Sequence, residues 1–248
     1  MIIISIVGAI VPALWLIRYF TQADKFPEPE EVIKSTFWDG VRTVFWVLLV
    51  VSPTFFFDEA ISTLPVVISA GYSAFLCAAI PEEFFKFRVL QKVSKNKAFD
   101  EPMDGIVYGA VASLGFATLE NVLYCIDGGL STVIARAFTA VPAHASFGAI
   151  MGYYFSKQHF SGSKVGVFSK AYFIPMVLHG LYDYFLFVMA GLGGQEGELA
   201  DDETMLIMGC LIAFFVLGTW MYRTVRSMVS EMQTAQILLL EEGTANVD

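Results

Sequence analysis

Residues 78–90 read AAIPEEFFKFRVL. An apolar run passes through Pro81 and meets two adjacent carboxylates, Glu82 and Glu83, with Lys86 and Arg88 close behind. Whether that run is a soluble core helix or a membrane span decides the fold. The chain around it answers. Of 248 residues, 56% are hydrophobic, only 16% are charged, and 23 are Phe; mean hydropathy is +0.63. A soluble domain carries about a quarter charged residues, so the composition is that of a membrane protein. The net charge of −9 comes from acids gathered in a few loops and the tail, and it argues against a nucleic-acid partner. Cys77, Cys125 and Cys210 stand far apart in apolar runs, without metal-ligand spacing, and read as small buried hydrophobes.

Working outward from Glu82, segments of the length needed to cross a bilayer lie at 2–19, 37–57, 62–82, 104–125, 132–155, 171–192 and 204–222. The third stays helix-compatible through FFKFRVLQKV to about Val93. Basic residues alternate between the connections. Lys25, Lys34, Lys92, Lys95, Lys97, Lys157, Lys164 and Lys170 fall after the first, third and fifth segments, and Arg223 and Arg226 follow the seventh. DEAIS, DGGLS and GGQEGELADDE, after the second, fourth and sixth, carry no Lys or Arg. The positive-inside rule then predicts an all-α, polytopic transmembrane helix bundle of about seven spans, with the N-terminus outside and the C-terminus cytoplasmic. MIIISIVGAIVPALWLI has no charge before Arg18 and reads as a retained span, not a cleaved signal. The bundle is expected over residues 1–226. Residues 227–248 are expected to be a cytoplasmic tail, partly disordered, with room for a short surface helix after Arg226 and a disordered end, ILLLEEGTANVD.

Two features of the spans carry more than hydropathy. Gly105, Gly109, Ser113, Ala117 and Asn121 recur at every fourth position, a stripe of small residues that lets another helix approach closely. Arg136, Ala140, His144, Gly148 and Gly152 form a similar row on the next span. Secondly, charge inside a bilayer costs roughly 2.5–3.5 kcal/mol per residue on insertion scales, yet Glu82, Glu83, Glu120, His144, His179 and Asp183 lie in or at the edges of four spans. Each has an ordinary reading alone: helix-end anchors for the glutamates, and an interhelical hydrogen bond for His144. Glu82 and Lys86 have the spacing of a helical ion pair, and adjacent side chains diverge by about 100°, so Glu83 is expected to face a different neighbour. His179 and Asp183, four apart, match a carboxylate that orients a histidine. Arg136 either snorkels outward or pairs with an acid inside. Together the set suits one polar site. Such a site either holds zinc, which takes His and carboxylate ligands, or uses a carboxylate as general base while histidines stabilise an oxyanion.

EEFFK (Glu82, Glu83, Lys86), FATLE (Phe116, Glu120), HASFG (His144, Gly148) and HGLYD (His179, Asp183) resemble, in order, the four motifs EExxK, FxxxE, HxxxG and HxxxD of the PrsW family of intramembrane proteases. The resemblance extends over about residues 25–190, including the FPEPE loop. It implies an intramembrane endopeptidase of the prokaryotic cell membrane, related to CAAX- and bacteriocin-processing proteases. Its substrate would be a single-span membrane protein of the anti-sigma-factor kind. It also implies that Glu82 or Glu83 is the base and the other glutamate partners Lys86. His144 and His179 would form the metal site or oxyanion hole, with Asp183 orienting His179. Lys86, Glu120, Asn121 and Asp183 are supporting residues; a divalent metal, zinc foremost, would draw on Glu83, Glu120, His144 and His179. Glu120 stands where CAAX-type relatives carry a histidine.

The competing readings are a transporter relaying protons along the Glu/His/Asp chain, and a non-catalytic scaffold using the small-residue stripes. Counting rise along each span also sets a geometric problem. His144 and His179 fall near mid-membrane, Glu82 toward the cytoplasm and Glu120 toward the outside, a mismatch of ~10 Å or more at 1.5 Å per residue. Pro81 and Pro142 are the positions expected to bend the chain.

Overall fold

The computed structural model describes residues 2–194 and 199–245; the side chains of 2–6, 9, 125–127 and 242–245 lie outside the described residues. Every long element among them is a helix. α1 (Ile2–Ala23) leads through the Pro27/Pro29 loop to α2 (Glu30–Val51), whose first turn carries Glu30 and Glu31 where the helix dipole favours acids. A 3₁₀ stretch, Ser52–Phe57, and the short α3 (Asp58–Ser62) extend that helix. α4 (Val66–Gly71), a π-helical stretch (Tyr72–Ala79) and α5 (Ile80–Val93) form the next path. α6 (Pro102–Phe138), α7 (Ala140–His159), α8 (Lys170–Gly193) and α9 (Asp201–Ala245) complete the chain.

Six segments among the described residues are long and apolar enough to cross a membrane: Glu30–Ser62, Val66–Val93, Pro102–Tyr124, Gly128–His159, Lys170–Gly193 and Asp201–Glu241. They overlie the second to seventh segments expected from the sequence. α1 occupies the first, whose opening side chains are outside the described residues. Burial follows the logic of lipid as solvent. The most apolar window of Pro102–Tyr124 is 78% buried at the centre of the bundle. Phe45, Trp46, Leu49, Phe215 and Trp220 point outward, more than 45% exposed. An apolar surface of that extent marks contact with something other than water.

The span holding the glutamates runs to Val93 and not to residue 82, as FFKFRVLQKV foreshadowed. Glu82 therefore sits about 16 Å inside the α5 end, eleven residues from Val93. Pro81 has no N–H to donate to the preceding turn and stands in the first turn of α5, where the wider π turns of Tyr72–Ala79 have just ended.

α6 is not one rod. Gly129 has φ 67°, ψ −163°, a conformation open to glycine alone. In a straight helix Asn121 and Arg136 would be about 22 Å apart; here Arg136 Nε donates to Asn121 Oδ1 at 2.7 Å, so the chain reverses at Gly129. The two small-residue rows then meet antiparallel. Gly105 faces Gly152, Gly109 faces Gly148, and the Ser113 hydroxyl donates to the His144 carbonyl at 2.6 Å. A Cβ at Gly109 would overlap the Gly148 carbonyl oxygen. Gly109→Leu is therefore expected to destabilise the bundle by about 1–3 kcal/mol or more. Reversible unfolding in mixed micelles measures this, and an unshifted midpoint would mean the rows do not hold the two helices at contact.

The tail is helical over its described residues. α9 continues unbroken past Arg226 and through ILLLEEGTA to Ala245, and only 246–248 of the expected disordered end lie outside the description. Met221, Val225, Met228, Val229 and Met232 recur at helical spacing and are buried in the main core. Gln233 Nε2 donates to the Ala23 carbonyl at 2.7 Å. Past the span the helix is thus held by packing on the core beside α6, α7 and α8 and by a hydrogen bond to the end of α1, contacts invisible to local composition. Of the cysteines, Cys210 is buried, Cys77 is half-buried beside Thr54 (3.6 Å), and the Cys125 side chain is outside the described residues.

Candidate active site

α5, α6, α7 and α8 converge on one buried polar group. Glu82, Glu83, His144 and His179 each offer a ligand atom within 4.8 Å of the others. Relative exposures are 7%, 0%, 4% and 3%. Lys86, 1% exposed, reaches into the same space. Its Nζ lies 2.7 Å from Glu83 Oε1, 3.3 Å from Glu82 Oε2 and 3.0 Å from His144 Nδ1. The sequence expected Lys86 to take one glutamate and leave the other to a different neighbour. Instead the i+3 and i+4 spacings let one ammonium bridge both, and Glu83 meets His179 as well, 2.8 Å from its Nδ1.

Each histidine turns its far nitrogen to a carboxylate. An ammonium only donates, so His144 Nδ1 accepts from Lys86 and its proton sits on Nε2, 2.9 Å from Glu120 Oε2. His179 Nε2 lies 3.2 Å from Asp183 Oδ2, the expected i,i+4 pair, with Glu82 Oε2 at 3.9 Å. Glu120 is held in turn by Arg136 Nη2 at 2.7 Å, and Asn121 accepts from the same guanidinium. Arg136 thus pairs inward, the second of the two readings its sequence position allowed. Lys86, Glu120 and Asp183 each touch the group directly, and Asn121 is linked to it through Arg136 and Glu120. Glu120 stands behind His144 and outside the set of mutually close ligand atoms.

The expected axial mismatch is resolved by side-chain direction. The small-residue rows set His144 level with Ser113, seven residues and about 10 Å from Glu120 along α6. Helical side chains lean toward their own N-terminus. Because α6 and this part of α7 run antiparallel, Glu120 and His144 lean toward one another and close that gap. Phe147 was not foreseen: its ring stacks on His179 with centroids 4.8 Å apart and planes 18° apart. Phe116 lies under Lys86, 4.3 Å from Nζ to ring centroid. Both fix side chains the site depends on. Phe116 had a place in the motif pattern; Phe147, inside HASFG, carried no separate signal.

Comparison with known proteins identifies the family. The pattern of the family described as "PrsW family intramembrane metalloprotease" matches residues 28–219. The chain belongs to the PrsW family. It is 42% identical over 197 residues to Protease PrsW of Geobacillus kaustophilus, covering 78% of this chain and 84% of that protein. It is 37% identical over 183 residues to Protease PrsW of Bacillus subtilis, covering 72% and 81%. A relative from Clostridioides difficile is 38% identical over a shorter stretch of 125 residues. No solved structure matches. Membership makes the protein a protease, and the six long apolar helices among the described residues are those of a multi-pass protein of a bacterial family.

The family's description includes a metal, and the residues fit one. His179 directs Nδ1 at Glu83 and His144 directs Nδ1 at Lys86 between the glutamates, while a carboxylate holds each Nε2, the arrangement by which outer groups fix a ligating tautomer. Glu83 Oε2 is buried without a hydrogen-bond partner, an uncommon state for a carboxylate oxygen and one a cation would relieve. A metal and the Lys86 ammonium would draw on the same donors, Glu83 Oε1 and His144 Nδ1.

Proposed function

We propose that the protein hydrolyses a peptide bond in or beside the transmembrane segment of a membrane-anchored protein, a regulator of the anti-sigma-factor kind being the class the family resemblance implies. The observation that carries the reading is the convergence of two glutamates and two histidines from three helices in a nearly water-free part of the bundle. Glu83, His144 and His179 would hold a divalent metal, zinc by the mixed nitrogen and oxygen donors. Zinc in such a site polarises a carbonyl and makes water a nucleophile near neutral pH. Glu82, the more accessible glutamate, is the general base: one carboxylate oxygen takes the proton of the attacking water and later returns it to the leaving amide nitrogen. Lys86 keeps Glu82 and Glu83 at fixed positions and offsets their charge. Asp183 and Glu120 hold the two imidazole rings, and Arg136 offsets Glu120.

A groove of about 340 Å³ lies beside the site between α7, α8 and α9, lined by Phe138, Pro142, Ser146, Tyr182 and Phe214 among others. Its residues adjoin His144 and Asp183 in sequence, and its apolar wall suits an unwound stretch of a membrane helix. The charge alternation of the loops supports an outside N-terminus and a cytoplasmic C-terminus, with the tail helix inside the cell.

The test is a comparison of new protein termini in membranes. Cells expressing the wild type are set against cells expressing a Glu82→Gln, Glu83→Gln double variant at matched abundance. New termini in or next to membrane spans, present only with the wild type, are expected. Coincident profiles under several envelope stresses would overturn the reading and return weight to a proton relay, read as proton flux in proteoliposomes.

A further inference from the structure

About 24 Å along α6 from Glu120, at the helix start, lies a second group of carboxylates. Asp24 comes from the loop after α1, Glu101 from the residue before α6, and Asp104 from its first turn. Each offers an oxygen within 4.8 Å of the others, and they are 5%, 8% and 0% exposed. Glu28 stands alongside, accepting from the Tyr108 hydroxyl.

Most oxygens of the three have assigned work. Asp104 Oδ2 caps α6, accepting from the backbone N–H of Asp100 (2.7 Å) and Glu101 (2.8 Å). Asp24 Oδ1 accepts from the Phe26 N–H (2.9 Å) and from Gln236 Nε2 (2.6 Å). Gln236 also donates to Glu101, while its own oxygen accepts from the Lys25 N–H, so the amide is fixed as a donor. Two oxygens remain: Asp24 Oδ2 and Asp104 Oδ1 are buried with no hydrogen-bond partner. Among the described residues no Lys, Arg or His pairs with any of the three carboxylates. Burial first, then the charges of Asp104 and Asp24, pushes the Glu101 carboxyl up to about 8.

We propose that Asp24, Glu101 and Asp104 bind one hard divalent cation, Mg²⁺, Ca²⁺ or Mn²⁺, at a site separate from the glutamate–histidine group. The donors are all oxygen, with no imidazole or thiolate, which selects hard ions over zinc. A cation there satisfies both orphaned oxygens and offsets acids that otherwise repel. It also joins the α1–α2 loop, the start of α6 and, through Gln236, the tail of α9. The site is therefore structural, and its loss is read first in the docking of the tail.

The full chain in detergent, stripped with a chelator, is titrated near neutral pH with Mn²⁺ followed by its paramagnetic resonance, and with Mg²⁺ and Ca²⁺ in competition. One hard-cation site per chain is expected, retained in Glu83→Gln and weakened at least about tenfold in Asp24→Asn, Asp104→Asn and in Glu101→Gln, since affinity follows ligand charge. The same cations are expected to raise the melting temperature of the wild type but not of the double variant. Absence of binding by the wild type at millimolar cation would overturn the proposal and assign the cluster to shared protons. So would binding that survives Asp24→Asn, Asp104→Asn or disappears in Glu83→Gln.

Discussion

Glu82→Gln is expected to lower cleavage of a membrane-anchored substrate by about 10²–10⁴-fold while leaving bound metal unchanged, because the lost group moves a proton and the ligands remain. Glu83→Gln is expected to abolish cleavage with loss of the metal, because Glu83 joins His179, Lys86 and the orphaned oxygen in one place. Metal content by mass spectrometry and single-turnover cleavage in proteoliposomes separate the two. The proposed assignment rests on burial: Glu83 is 0% exposed and Glu82 7%, which leaves Glu82 the glutamate more open to water. If Glu82→Gln loses the metal and Glu83→Gln keeps it, the two roles are exchanged. Chelation of the wild type should silence cleavage, and zinc should restore it. Asp183→Asn should weaken metal binding by about 10–100-fold, since the Nε2 proton of His179 loses its charged acceptor.

Lys86→Met should destabilise the metal-free protein by about 3–5 kcal/mol, the usual result of removing one partner of a buried ionic set. The physical reason is local. Lys86 is 1% exposed and its ammonium is the bridging cation of both glutamates, within 2.7 Å of Glu83 and 3.3 Å of Glu82. Without it, two carboxylates remain in a low-dielectric interior. Zinc binds the folded site and supplies the missing positive charge, so most of the loss should vanish in the metal-loaded variant. Unfolding midpoints of the metal-free and loaded forms measure both effects. An equal loss in the two forms would mean that Lys86 contributes packing against Phe116, 4.3 Å away, and not charge.

The difference between the expected and observed site shows what periodicity can and cannot reach. Hydropathy placed the spans well because each is a local property of about 20 residues. It ended the apolar span at residue 82 because charges at Glu82, Glu83 and Lys86 look like a membrane boundary when their partners are unknown, and only the helix-compatible FFKFRVLQKV carried the expected helix on to Val93. Once those charges neutralise one another and meet His144 and His179, the helix runs on to Val93. The docking of the tail before ILLLEEGTANVD was out of reach for a related cause: Met228, Val229 and Met232 pack on the core, and Gln233 and Gln236 bond to the α1–α2 junction, partners distant in sequence.

The sequence by itself determined the all-helical class, the location of the spans, the four motifs and every residue of the glutamate–histidine group, because residue type, spacing and charge asymmetry are properties of the chain read in one dimension. Only the tertiary structure decided that Lys86 bridges both glutamates, that Arg136 turns inward to Glu120, and that Phe147 braces His179. It alone brought Asp24 to Asp104 across the bundle. Those choices depend on the reversal at Gly129 and on the register in which two rows of small residues meet, where a fraction of an ångström between backbones fixes which side chains can touch.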